Sequence, residues 1–185
     1  MDYTALLDNL SDNLQEQQIK LGAASGSTHW FYPLSSLNRF LGVSLDEAGM
    51  AQALAGLSDA AEATLGPVAV SHANGRFCLT LTDRAGEFVR AHAPKDGFLS
   101  ELVAVIGRHG ATMDEVLAVF YRHADDVVTV PMQGKDFDVL AYFAGGRPDA
   151  YRYCLTDEGC HIIYHRFTAA DYADFYPEEE SNATV

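Results

Sequence analysis

The dipeptide Asn74-Gly75, set between two runs of alternating side chains, constrains this chain most. Asn-Gly takes positive φ at both central positions of a type I′ turn, the turn whose twist matches a two-residue hairpin. The pairing this predicts puts Val68 opposite Leu81, Val70 opposite Leu79 and His72 opposite Phe77 on one face. Ala69–Thr80 and Ser71–Cys78 fall on the other. One face is apolar and the other small or polar, as a half-buried hairpin requires. Val68–Thr82 then runs into a short helix, Asp83–Pro94, with proline as its stop. Tyr151–Arg166 followed by Thr168–Pro177 repeats the design, with turn glycines Gly75 and Gly159 spaced by 84 residues.

Helical patterns precede each hairpin. Leu6, Leu7, Leu10, Leu14 and Leu21 form one apolar stripe over Thr4–Leu21, ended by Gly22. His29-Trp30-Phe31-Tyr32 reads as a short extended stretch, and Pro33 opens a helix through Leu34, Leu37, Phe40 and Leu41. Ser44 and Glu47 have the spacing of a capping box, as do Thr112 and Glu115. The helix from Ser44 is expected to break near Gly56. Phe98, Leu102, Val105 and Ile106 make a further helical stripe, and Val127–Met132 suits a short strand. Phe137, Leu140 and Phe143 suggest one more helix over about 134–144.

The expectation is an α+β chain of two tandem winged-helix-like units, each helix–helix–hairpin–helix, with an N-terminal amphipathic helix. The boundaries are 1–95 for that helix and the first unit, 96–177 for the second, and 178–185 for a disordered acidic tail. No apolar run approaches the ~20 residues of a membrane helix. The opening Met1-Asp2-Tyr3 has no basic or apolar leader, so no signal peptide is expected. Three cysteines, Cys78, Cys154 and Cys160, suit a reducing cytoplasm.

A winged helix suggests DNA, but the charges oppose it. The chain has 26 Asp and Glu against 12 Lys and Arg, net −14. Ser44–Leu65, in the place of a recognition helix, carries Asp46, Glu47, Asp59 and Glu62 and no Lys or Arg. Phosphate contacts need cations. Arg76, Arg152 and Arg166 are the candidate wing contacts for the alternative of a DNA-binding regulator, and nucleic acid is not the expected partner.

No cofactor is expected, for the chain has no Walker A loop, no G-x-G-x-x-G and no nucleophile elbow. Cys154, Cys160, His161 and His165 are spaced C-x5-C-H-x3-H. Read on a hairpin turning at Glu158-Gly159, Cys160 projects to the face opposite the other three. His161 and His165 then lie about 13 Å apart along a strand at ~3.3 Å per residue. Zinc needs its ligands within about 2.0–2.3 Å, so no metal site is expected. Ser35-Ser36 near His29 would need an orienting acid to act as a nucleophile, and the pair Asp125-Asp126 reads as solvated charge at a helix end. An enzyme with an inter-unit cleft is kept as a second alternative.

The aromatic clusters remain. Trp30, Phe31 and Tyr32 adjoin Pro33, and Tyr151, Tyr153 and Tyr164 lie in the second hairpin. Trp and Tyr dominate interface hot spots. These six are the candidate interaction surface of a cytoplasmic protein-interaction module, with a protein partner or self-association as a homodimer expected and no membrane contact.

Glu16-Gln-Gln-Ile-Lys-Leu-Gly22 and Trp30-Phe-Tyr-Pro-Leu-Ser-Ser-Leu-Asn-Arg-Phe-Leu-Gly42 resemble the N-terminal signature of a bacterial family, a domain of unknown function of about this size. That resemblance implies no activity, cofactor or catalytic residue. Phe77–His92 separately resembles the wing and following helix of bacterial winged-helix regulators. Those carry basic recognition helices, and this chain departs from them there.

Overall fold

Leu6, Leu10 and Leu14 are buried at four-residue intervals along α1 (Thr4–Leu21), which ends at Gly22 as expected. After it come β1 (Thr28–Pro33), α2 (Leu34–Leu41), α3 (Glu47–Ala53), a 3-10 turn (Leu54–Gly56) and α4 (Leu57–Ala61). β2 (Val68–Ala73), β3 (Arg76–Leu81) and α5 (Asp83–His92) complete the first unit, Met1–Pro94. The second unit is Lys95–Val185. This computed structural model describes residues 1–22, 26–92, 97–132 and 136–176. The expected tail, 178–185, lies outside them.

The first hairpin has the register that its turn dictates. Val68 pairs with Leu81, Val70 with Leu79 and His72 with Phe77. Asn74 and Gly75 both have positive φ, at 53° and 72°. β1 pairs antiparallel with the other edge of β3, so the strand order is β1-β3-β2. One face of the sheet sends Tyr32, Phe77, Leu79 and Leu81 into a core shared with Leu6, Leu10, Leu37, Met50 and Leu57.

The capping box expected at Ser44 is not what starts α3. Asp46 is the cap, its Oδ1 accepting from the Gly49 amide at 2.8 Å. Asn38 explains the displacement. Its side chain donates to the Leu45 carbonyl and accepts from the Leu45 amide, each at 2.9 Å, which ties that residue into the connection ahead of the helix. Aspartate caps as well as serine does, so the helix begins two residues later than expected.

The second unit runs α6 (Phe98–Ile106), α7 (Met113–His123), β4 (Val127–Pro131), β5 (Val139–Phe143), β6 (Arg152–Asp157), β7 (Ile162–Phe167) and α8 (Ala169–Phe175). The Thr112–Glu115 capping box is present in full. The helix expected over about 134–144 is instead β5, and residues 133–135 lie outside the described set. Val139–Phe143 is one unbroken apolar run, and its alternate side chains are buried on opposite faces. Leu140 joins Met132, Cys154 and Tyr172, while Ala141 and Phe143 are buried too, Phe143 with its ring against Phe98 and Phe120. A run buried on both sides loses the alternation that marks a strand. The unit is therefore two helices, a four-stranded antiparallel meander in the order β4-β5-β6-β7, and a final helix. This differs from the second helix–helix–hairpin–helix unit that the spacing suggested.

The second hairpin also turns later than expected. Glu158 N–H donates to the His161 carbonyl at 2.9 Å, closing a wider turn. Leu155 pairs with Tyr164 and Tyr153 with Arg166, a shift of two residues that leaves every side chain on its expected face.

Glu101 of α6 holds the end of α7. It accepts from Arg122 Nε at 2.9 Å and contacts His123 Nε2 at 2.7 Å. Those two partners, His123 first, lower the Glu101 carboxyl below its ordinary 4.5. A carboxyl lowered in the fold binds fewer protons there than in the unfolded chain. Its stabilising effect is present above pH 4.5 and is lost as pH falls through the lowered value. Acid titration of stability should therefore be shallower below about pH 5 for Glu101→Gln than for the wild type. Identical slopes would show that the clamp contributes nothing. Among the described residues no helix is long and apolar enough to cross a membrane.

Candidate functional site

Strand alternation divides the first aromatic string. Trp30 and Tyr32 turn toward the core, Tyr32 buried and Trp30 half-buried against it. The Tyr32 hydroxyl donates to Asn9 Oδ1 at 2.7 Å. Phe31 points the other way and is 60% exposed. It sits mid-strand in the middle row of a three-by-three face. The rows are Ala69–Thr80–His29, Ser71–Cys78–Phe31 and Ala73–Arg76–Pro33. None of the nine side chains is a carboxylate. His29 Nδ1 lies 3.0 Å from Thr80 Oγ1, and Cys78 Sγ lies 3.8 Å from that oxygen and 4.0 Å from the imidazole. His29 thus belongs to this open face, whereas Ser36 is buried in α2.

The opposite side of β2 bounds a groove. A cavity of about 310 Å³ lies between β2 and α3–α4, lined by Ala51, Leu54, Ala55, Ser58, Val70 and Phe77 among others. His72 stacks on Phe77 with ring centroids 4.4 Å apart, and its Nε2 is 3.5 Å from Glu47 Oε2. No sequence pattern pointed to this groove, because it depends on how α3–α4 pack beside β2.

The residues singled out in the second hairpin are mostly turned inward. Tyr153 is fully buried, and its hydroxyl donates to Asp149 Oδ2 at 2.9 Å. Burial, with the Asp149 charge beside it, pushes the Tyr153 hydroxyl well above the ordinary tyrosine range, so it remains a neutral donor. Tyr151 and Tyr164 are half-buried. The Arg166 guanidinium stacks over the Tyr151 ring at 4.0 Å and faces Asp149 at 3.7 Å, with its side chain 4% exposed. Arg152 stacks over Tyr142 at 3.7 Å. Two of the three candidate wing cations are thus engaged inside their own unit, and Arg76 is exposed.

The cysteines and histidines of the second hairpin do not converge. Cys154 is buried opposite His165, whereas Cys160 is exposed at the turn beside His161. The His161 ring stands perpendicular to His109 at 5.3 Å. Among the described residues no three His, Cys, Asp or Glu side chains are grouped to hold a metal ion. Asp126 accepts from the Gly145 amide at 2.5 Å, a structural role for one member of the Asp125-Asp126 pair.

A family model described as "Domain of unknown function, E. rectale Gene description (DUF3877)" matches residues 3–176. No curated protein and no solved structure matches the chain.

Proposed function

The chain belongs to DUF3877, a family of unknown function, and we propose from its own residues that it is a protein-interaction module whose contact surface is the open face of the first sheet. The observation that carries this reading is the charge pattern of that face. In a chain of net charge −14, nine adjoining outward positions, an exposed phenylalanine among them, hold no acid. A second copy can meet such a face without bringing carboxylate against carboxylate, so self-association is the form of contact proposed.

The helix–strand–helix order of the first unit and its β1-β3-β2 sheet support reading that unit as winged-helix-like. The acids of α3–α4 and the inward use of Arg152 and Arg166 weigh against a wing laid on DNA. Three free thiols accord with a reducing cytoplasm as the setting.

The size of the face sets the strength of the contact. Three strands about 4.8 Å apart and six residues at about 3.3 Å each give a patch of roughly 14 by 20 Å. That is small beside the ~800 Å² per partner of a stable complex, so dimerisation should be weak and concentration-dependent. Phe31→Glu should abolish it in sedimentation velocity. Folding stability should stay within about 0.5 kcal/mol, as for most surface substitutions. A wild-type chain that sediments as a monomer at every concentration, or a variant that dimerises equally, refutes the reading.

A further inference from the structure

Among the described residues β2 ends the strand order of the first sheet, so its outer edge pairs with no other strand. In a hairpin closed by a two-residue turn, the pair flanking the turn exchanges hydrogen bonds, and bonded pairs alternate from there. Ala73, Ser71 and Ala69 therefore bond to β3 across their register partners Arg76, Cys78 and Thr80. The amides and carbonyls of Val70 and His72 are directed away from β3, toward the open edge, since β2 ends the strand order. Ser58 Oγ accepts from the Val68 amide at 3.2 Å and closes the start of that edge. Val70 and His72 also turn their side chains to the groove beside α3–α4, where Val70 is 36% exposed.

We propose that this edge takes an extended, basic and apolar protein segment as a fourth strand. Backbone bonds to Val70 and His72 would hold it, with alternate apolar side chains in the ~310 Å³ groove. Charge chooses the partner. Asp46 caps α3, Glu47 approaches His72 of the groove lining with its side chain 54% exposed, and Asp59 is exposed on α4. The stretch from Asp46 to Ala61 contains no Lys or Arg. A nucleic acid would meet like charge here, and a second copy of this chain would bring its own acids. A lysine-bearing strand meets opposite charge. This site goes beyond the open-face reading, because Val70 and His72 face the side of the sheet opposite Phe31.

The test uses the full chain and two fluorescein-labelled hexapeptides, each alternating lysine with valine or leucine. Saturable binding is expected below about 1 mM, with at least tenfold weaker binding when glutamate replaces lysine. Val70→Pro removes the outward amide from an edge strand, where proline is tolerated. It should weaken binding at least tenfold. Ala55→Arg, on the exposed rim of the groove, should do the same without touching β2, and it serves if the proline variant fails to fold. Phe31→Glu should leave peptide binding unchanged, so the two sites fail separately. The proposal is overturned if neither lysine peptide binds, if the glutamate peptides bind as well, or if folded Val70→Pro and Ala55→Arg chains bind normally.

Discussion

Asp149→Ala is expected to destabilise the second unit by about 3–5 kcal/mol, the cost of removing one partner from a buried charge pair. Three groups converge on this carboxylate. The Tyr151 amide donates to it at 2.8 Å and the Tyr153 hydroxyl at 2.9 Å, and the Arg166 guanidinium faces it at 3.7 Å. Arg166 is almost wholly buried, so its charge cannot recover hydration when the carboxylate is lost. Asp149→Asn keeps an acceptor and removes only the charge, and should cost less. Tyr153→Phe removes one donor and should cost about 1 kcal/mol. Urea denaturation followed by circular dichroism ranks the three. A loss below about 1 kcal/mol for Asp149→Ala would mean that the pair behaves as an exposed one, and that Arg166 has the freedom a DNA-contacting wing requires.

Trp30→Ala should cost about 2–3 kcal/mol, toward the lower end of large-to-small core substitutions because the indole is only half-buried. Part of the loss is offset. The indole Nε1 is buried without a hydrogen-bond partner among the described residues, and truncation relieves that penalty. Trp30→Phe separates the two effects, since it keeps a ring against the core and deletes the orphan N–H. It should be close to neutral. If instead Trp30→Ala left stability unchanged and weakened self-association, the indole would be a surface anchor and the division between Trp30 and Phe31 would be wrong.

That division was within reach of the sequence. Reading His29–Tyr32 as extended already puts Phe31 on the face opposite Trp30 and Tyr32, by the period of two alone. The first hairpin was legible residue by residue for a related reason. Its turn chemistry is local, and a half-buried sheet writes an apolar–polar alternation that admits one register. β5 was illegible because α6 and α7 on one side, and Phe137 and α8 on the other, bury both of its faces. Leu140, Ala141 and Phe143 then carry no alternation to read. The inward use of Arg152 and Arg166 was hidden too, because it depends on Tyr142, Tyr151 and Asp149, which only the folded meander brings beside them. The groove beside β2 has the same long-range origin.

Whether two copies meet through the face around Phe31 is tested most directly at Cys78, the cross-strand neighbour of Phe31 on that face. With exposed Cys160 replaced by serine, Cys154 is buried and Cys78 is the remaining accessible thiol. A short bis-maleimide should then yield a covalent dimer whose amount rises with protein concentration. Phe31→Glu should abolish that dimer, and so should Cys78→Ser. No covalent dimer at any concentration, or one formed equally by Phe31→Glu, would contradict the account.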